Sequence, residues 1–101
     1  MNTLAQKIIA NACNKVSVEP GEIVVCKVDL AMIHDSGGPR RVKPILEKLN
    51  RKVWDKEKVV VVTDHYVPIE SKETRAIQEL TQKWVLDQDI KSFYDQQGIC
   101  H

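Results

Sequence analysis

The chain has 101 residues, with 15 lysines and arginines against 14 aspartates and glutamates, which gives a formal net charge of +1. This length suits one small domain with a modest core. The charge balance creates no field that would attract nucleic acid or an anionic membrane. No apolar run is long enough to span a bilayer, and the first residues lack the basic and apolar parts of a secretory leader. We therefore expect a cytoplasmic protein that binds neither nucleic acid nor membrane.

The three cysteines, Cys13, Cys26 and Cys100, are odd in number and widely spaced. Such spacing is not typical of a disulfide framework, so reduced thiols are expected. The sequence contains no C-x-x-C motif, and the chain by itself offers no thiolate cage for zinc or for an iron–sulfur cluster. Such a cofactor would need ligands from elsewhere.

The first part of the chain predicts a helix and then a strand. Thr3 is a candidate N-cap, and apolar residues recur at the spacing of one helical face up to about Asn14. Pro20-Gly21 then marks a turn. The segment Ile23 to Val28 is mostly apolar and β-branched, which predicts a strand that is covered on both faces.

A glycine-rich loop and a second helix follow. Residues 30–39 contain paired glycines and a proline, which permit unusual backbone angles before a helix begins. Pro44 must lie in the first turn of this helix or kink it, because proline lacks the amide N–H and clashes further in. The β-branched run Val59 to Thr63 then predicts the second strand.

Ser71 is the candidate N-cap of a third helix that extends to about Asp87, and residues 91–94 predict a third strand. The order is αβαβαβ, which is typical of a parallel sheet with right-handed crossovers. We expect an α/β fold, a three-layer αβα arrangement with a small, mainly parallel sheet. Three strands are few for this architecture, so residues 1–101 are expected to be a single fragment of a larger domain.

All three histidines follow predicted strands. His34 comes after the first strand, Asp64 and His65 stand directly behind the second, and His101 follows the third. Open α/β sheets bind ligands at the carboxyl ends of their strands. The sequence therefore predicts that the histidines gather at one edge of the sheet.

The pairs His34-Asp35 and Asp64-His65 combine an imidazole with a carboxylate, which suits acid–base chemistry on a small hydroxy acid near neutral pH. Neighbouring side chains point in opposite directions in an extended chain, and a single pair of this kind is commonly only solvated. The recurrence of histidines at three strand ends favours a functional site.

Several other side chains allow two interpretations. Arg40 and Arg41 follow the Gly-Gly-Pro turn, where they could bind a substrate carboxylate or simply be exposed on a helix. Cys26 is expected to act as a small hydrophobic residue inside the first strand. Trp54 and Trp84 are expected to pack in the core, because no basic stripe accompanies them.

Several segments and two motifs carry a resemblance to a known family. The motifs are D-H-x-x-P, which begins at Asp64, and G-I-C-H, which ends at His101. The chain resembles the amino-terminal part of the aconitase superfamily, and within it the large subunit of the 3-isopropylmalate dehydratases and their homoaconitase-like relatives. The matching segments are Thr3 to Ile9, Val18 to Val24, Asp29 to Asp35, Lys52 to Asp55, Val59 to Pro68 and Gly98 to His101.

The resemblance implies a hydro-lyase that moves a hydroxyl group between adjacent carbons by dehydration and rehydration at a four-iron, four-sulfur cluster, as in leucine biosynthesis. It implies that His65 protonates the departing hydroxyl, that Asp64 supports His65, and that His101 faces the cluster. His34 and Asp35 also match active-site positions. It further implies a small-subunit partner and a small di- or tricarboxylic hydroxy acid as substrate, such as 3-isopropylmalate, homocitrate or dimethylmalate.

The chain departs from the family in its cysteines. The family's cluster ligands, a lone cysteine and a C-x-x-C segment, have no counterpart here, and Cys100 is not one of them. We therefore expect no cluster on this chain alone, and no activity without the rest of the enzyme. Two other functions stay open. One is a stand-alone module that binds a small anion or a metal through the histidines, and the other is an inactive remnant that associates through its third strand.

Overall fold

The structure, a computed structural model, describes residues 1–100 and confirms the predicted α/β class with the order αβαβαβ. Three α-helices alternate with three strands, and a short 3-10 helix over Lys56–Lys58 precedes the second strand. The elements are α1 (Leu4–Ala12), β1 (Ala31–His34), α2 (Pro39–Lys48), β2 (Val59–Thr63), α3 (Lys72–Asp87) and β3 (Ser92–Asp95). No helix in the part of the chain that the structure describes is long and apolar enough to cross a membrane.

The three strands form a parallel sheet in the order β1-β2-β3. The register aligns Ile33 with Val61 and Val61 with Phe93, so these three side chains share one face. On the opposite face, Met32 and Tyr94 are about half exposed, at 53% and 50%. Only one face of this sheet is therefore well covered within residues 1–100.

The core lies between the sheet and the helices α2 and α3, which pack against each other. Trp84 of α3 is 2% exposed and Val61 of β2 is fully buried. Residues of α2 and the two outer strands pack against this centre. The buried cluster consists of Val59, Val61, Trp84, Val85 and Ile90, with Ile33, Val42, Leu46, Val53 and Phe93 against it.

The helices begin and end with local signals that the sequence contains. Thr3 and Ser71 cap α1 and α3 with side-chain hydrogen bonds, as predicted. After each helix comes a residue in the left-handed region, Asn14 (φ 56°), Asn50 (φ 51°) or Asp89 (φ 56°). The next backbone N–H then bonds back to the last turn, which is the Schellman arrangement. These caps place the helix ends independently of tertiary packing.

The strand predicted over Ile23 to Val28 is wrong. This segment has no regular secondary structure, and Ile23 and Val25 are 96% and 91% exposed. The first strand instead forms over Ala31–His34, which was predicted to be a loop. A β-branched run becomes a strand only beside a partner, and β2 pairs with Ala31–His34. Cys26 is consequently not inside a strand, and its Sγ lies 3.9 Å from the carbonyl oxygen of Ile9.

Both tryptophans were expected to pack in the core, but only one of them does. Trp84 lies in the core as predicted, whereas Trp54 is 88% exposed and its ring lies 5.2 Å from the ammonium of Lys58.

Pro44 lies inside α2 beyond its first turn. Pro39 is the first residue of that helix, where the missing N–H has no helical partner to lose.

Candidate active site

Two histidines meet at the carboxyl end of the sheet. His34 is the last residue of β1, and His65 stands two residues behind the end of β2. Because these strands are parallel neighbours, their carboxyl ends lie at one edge. The imidazole rings stack with centroids 4.1 Å apart and planes inclined by 14°. His101, the third histidine of the predicted group, lies outside the described residues.

Asp35 joins the ends of the two strands. Its side chain is fully buried, and its carboxylate accepts the backbone N–H of His65 at 3.1 Å and that of Tyr66 at 3.2 Å. Its own backbone N–H donates to the carbonyl oxygen of Val62 at 3.2 Å. A buried carboxylate held by two N–H donors is rigid. Asp35 therefore positions the backbone that carries His65, and it is not accessible to a substrate.

Asp64 sets the proton position on His65. Asp64 Oδ1 lies 2.6 Å from His65 Nδ1, and Asp64 Oδ2 accepts the backbone N–H of Cys100 at 2.6 Å. The hydrogen bond from Cys100, aided by that from His65, lowers the pKa of Asp64 to about 2. An ionised carboxylate can only accept, so Nδ1 of His65 carries the proton in this bond. Proton exchange with a substrate then falls to Nε2 of His65.

The lowered pKa of Asp64 predicts a pH-dependent contribution to stability. A carboxyl group with a depressed folded-state pKa stabilises the fold above its unfolded pKa, here about 3.8, and loses this effect as the pH falls through about 2. We expect Asp64→Asn to lower the free energy of unfolding by about 2 kcal/mol at neutral pH. The difference from the wild type should close between pH 4 and pH 2 (roughly the two pKa values), as measured by urea unfolding.

Asp89→Asn is the matched control for this experiment. The pKa of Asp89 is also lowered to about 2, by Lys56 and Lys91, but its side chain is half exposed. Solvent screens such pairs, so this variant should change stability less and should respond to added salt. A destabilisation of Asp64→Asn that stays constant down to pH 2 would contradict the assignment.

His34 carries its proton on the other ring nitrogen. Its Nδ1 accepts the backbone N–H of Gly37 at 3.3 Å, which requires an unprotonated Nδ1. The proton of neutral His34 is therefore on Nε2.

Gly38 allows the turn behind His34 to close. Its backbone N–H donates to the carbonyl oxygen of His34 at 2.9 Å. A Cβ at this position would overlap the Ile33 side chain and the His34 carbonyl. Glycine is therefore required for the close approach that leads from β1 into α2, and the predicted special role of the paired glycines applies to this one.

Arg40 lies on the side of the site formed by Ser36 and Tyr66. Its Nε donates to the carbonyl oxygen of Ser36 at 2.9 Å, and its guanidinium carbon lies 5.9 Å from the centroid of the Tyr66 ring. The Tyr66 hydroxyl lies 3.5 Å from the Ser36 hydroxyl. These contacts orient a half-buried cation beside Tyr66, whereas Arg41 is exposed.

A buried polar network holds the end of β3. The carboxylate of Asp95 accepts the Thr63 hydroxyl at 2.7 Å and the side-chain amides of Gln78 and Gln82, the latter at 2.8 Å. Thr63 is fully buried and Gln78 is 3% exposed. The Thr63 hydroxyl in turn accepts the backbone N–H of Gln96 at 2.7 Å. The network fixes where the chain leaves β3 toward Cys100, whose N–H binds Asp64.

Sequence reasoning missed Tyr66 and this network. Thr63 and Asp95 are the last residues of adjacent strands, and they lie opposite each other in the register. Thr63 ended the predicted second strand, whereas Asp95 directly follows the third strand predicted over residues 91–94. The sequence pattern could not show that Gln78 and Gln82, one turn apart on α3, face both of them.

The residues of the site do not form a set of cluster ligands. An iron–sulfur cluster is held by cysteine thiolates. Cys13 is the C-cap of α1 and Cys26 lies against that helix, so only Cys100 is near the histidines within residues 1–100. Burial and the neighbouring Asp64 raise the pKa of the Cys100 thiol, which disfavours its thiolate.

Comparison with known proteins gives close relatives, although no family model matches the chain. A probable 3-isopropylmalate dehydratase large subunit of Methanothermobacter thermautotrophicus is 42% identical over 98% of this chain and 24% of its own length. The 3-isopropylmalate dehydratase large subunit 1 of Methanopyrus kandleri is 40% identical over the same shares. A probable methanogen homoaconitase large subunit of Methanothermobacter thermautotrophicus is 36% identical over 97% of the chain and 24% of its own length.

The chain spans about a quarter of the length of these relatives. The match includes nearly every residue of the chain, from α1 through the site at the strand ends. The resemblance inferred from the two motifs is thereby confirmed. The chain is similar to the amino-terminal part of the 3-isopropylmalate dehydratase and homoaconitase large subunits.

Proposed function

We propose that this chain forms part of the active site of a hydro-lyase that dehydrates and rehydrates a 2-alkylmalate-type hydroxy acid, such as 3-isopropylmalate. The observation that carries the proposal is the ionised Asp64 carboxylate bound to His65 Nδ1 at the carboxyl end of the sheet. The names of the relatives support the reaction class.

In this proposal His65 is the proton donor to the departing hydroxyl group. Asp64 holds the proton on Nδ1, so the transferred proton leaves from Nε2. The Asp64 carboxylate also stabilises the imidazolium that exists before transfer. In the reverse direction Nε2 takes a proton from water that adds to the double bond. His101 is the second catalytic residue of the proposal, on the basis of the G-I-C-H motif.

Three further residues support the reaction. Asp35 fixes the backbone of His65, and the His34 ring stacks on the imidazole and limits its rotation. Arg40 is oriented by Ser36, and its charge suits a substrate carboxylate. These assignments give each side chain a role that its hydrogen bonds permit.

The cofactor and the partner belong to the same proposal. A four-iron, four-sulfur cluster would supply a Lewis acid for the substrate hydroxyl, and its ligands would come from parts of the enzyme other than the described residues. The words "large subunit" in the names of the relatives suggest a small-subunit partner. The cytoplasmic location predicted from the sequence stays a prediction.

A chimeric enzyme tests the proposal. The matching quarter of the 42% identical large subunit is replaced by this chain, and the product is expressed anaerobically with iron, sulfide and its small subunit. We expect a cluster absorption spectrum and hydration of 2-alkylmaleates, because the chain would supply the acid–base residues that the rest of the enzyme lacks.

The control graft takes the same quarter from the homoaconitase-type relative, which is 36% identical to this chain. It shows whether grafting itself preserves assembly and cluster content. An assembled chimera that holds its cluster but hydrates no substrate, beside an active control, would contradict the proposed function.

A further inference from the structure

We propose that Asp64, His65 and Cys100 form a binding site for one zinc ion. The site shares Asp64 and His65 with the proposed lyase chemistry, and zinc on His65 Nδ1 would displace the proton that Asp64 holds there, but zinc binding itself does not depend on the lyase activity. The ligand atoms of the three side chains, a carboxylate oxygen, an imidazole nitrogen and a thiol sulfur, all lie within 4.8 Å of one another.

The donor set has the composition that zinc prefers. Zinc binds cysteine sulfur, histidine nitrogen and carboxylate oxygen in tetrahedral geometry, and three protein ligands leave a fourth position for water. Calcium and magnesium favour oxygen ligands and do not suit a thiol. Asp64 Oδ1 and His65 Nδ1 are 2.6 Å apart in a hydrogen bond, and they would move to about 3.3 Å from each other as two ligands of a tetrahedral zinc ion.

The backbone brings the thiol to this pair. The Cys100 N–H donates to Asp64 Oδ2 at 2.6 Å, which holds the residue beside the carboxylate. The end of β3 is fixed by Asp95 and Thr63, so the segment that carries Cys100 leaves the sheet from a rigid position. The site is thus partly formed before the ion arrives, which limits the ordering that binding requires.

A second group of ligand atoms, in His34, Asp35 and His65, also lies within 4.8 Å. It is the poorer site. Imidazole lone pairs lie in the ring plane, and two rings stacked at 14° direct them side by side rather than toward one point. The carboxylate of Asp35 is fully buried and occupied by two backbone N–H groups.

Zinc binding at this site changes the protonation of its ligands. When zinc binds Nδ1 of the uncharged imidazole of His65, the ring proton is carried on Nε2, and Asp64 binds as a carboxylate. Burial and Asp64 raise the pKa of the Cys100 thiol, so the thiol releases its proton to solvent only when the charge of the bound ion stabilises the thiolate. One proton is therefore released for each zinc ion bound, and no electron is transferred.

Cobalt titration of the 101-residue chain tests the site. Cys13→Ala and Cys26→Ala form the background, so that Cys100 is the only thiol. We expect one Co²⁺ per chain, with the intense visible bands of tetrahedral cobalt and a thiolate-to-cobalt charge-transfer band. Zinc should displace the cobalt, and a titration in weak buffer should release one proton per ion.

Cys100→Ser is the decisive variant, because it keeps the backbone N–H that binds Asp64. It should lose the charge-transfer band and weaken zinc binding by at least about 100-fold, and His65→Gln should do the same. Circular dichroism verifies that each variant keeps the helices of the parent chain. His34→Asn should change zinc affinity less than threefold (about 0.6 kcal/mol).

Two results would overturn the proposal. One is an octahedral cobalt spectrum that is the same in the parent chain and in Cys100→Ser. The other is loss of binding in His34→Asn but not in Cys100→Ser, which would assign the ion to the second group. Neither result bears on the chimera assay, so failure of the zinc site is distinguishable from failure of the proposed lyase function.

Discussion

Replacement of His65 by alanine in the chimeric enzyme is expected to lower kcat by about 10²–10⁴-fold, the range typical of a lost general acid. The reason is that Asp64 directs the transferable proton to Nε2 of His65. Hydration of 2-alkylmaleates under saturating substrate measures the change. The cluster spectrum should remain, because His65 is not a cluster ligand in this arrangement.

Two further variants sharpen this prediction. Asp64→Asn should lower kcat less than His65→Ala, because the asparagine keeps a hydrogen-bond acceptor but loses the charge that stabilises imidazolium. Arg41→Ala is the matched control, since Arg41 is exposed and the proposed reaction does not use it. If His65→Ala retained at least half of the parent kcat while Arg41→Ala did the same, His65 could not be the proton donor.

Trp84→Ala is expected to destabilise the chain by about 3–5 kcal/mol, which is most of the stability of a small domain. Trp84 is 2% exposed and packs against Val61 and Val85 at the centre of the only core within residues 1–100. Removal of the indole leaves a large cavity between α3 and the sheet. Urea unfolding followed by circular dichroism gives the free energy of unfolding.

The indole N–H allows a sharper comparison. Within residues 1–100, Trp84 Nε1 is buried without a hydrogen-bond partner, so Trp84→Phe removes an unsatisfied donor together with part of the ring. We expect Trp84→Phe to cost less than half of what Trp84→Ala costs. Leu86→Ala is the control on the same helix, since Leu86 is 79% exposed. Equal losses in Trp84→Ala and Leu86→Ala would contradict the packing account.

The sequence predicted those elements whose signals are local. Caps at Thr3 and Ser71 and the β-branched run of β2 were sufficient to place α1, α3 and the central strand. The first strand was misplaced because Ile23 to Val28 has the composition more typical of a strand. Ala31–His34 is the segment that pairs with β2. Pairing is a tertiary property, and composition alone does not reveal which of two neighbouring segments will pair.

The site was predictable in position but only partly in mechanism. Strand ends in a parallel sheet gather at one edge, so His34 and His65 could be placed together from the order of elements alone. The role of Asp35 as a buried anchor for the backbone of His65 depends on two hydrogen bonds that join residues about thirty positions apart. Hydrogen bonds between residues so far apart in the chain produce no periodic pattern in the sequence.

The network around Asp95 has a consequence for the order in which the chain folds during synthesis. Asp35 can bind the backbone of His65 as soon as β1 and β2 have paired, before residues 92–100 leave the ribosome. The amides of Gln78 and Gln82 must wait for Asp95, and Asp64 must wait for Cys100. We expect a nascent chain that has exposed α3 but not β3 to leave the amides of Gln78, which is 3% exposed in the folded chain, and of Gln82 without their Asp95 acceptor. Completion of β3 then relieves this penalty and orients His65 in a single late step.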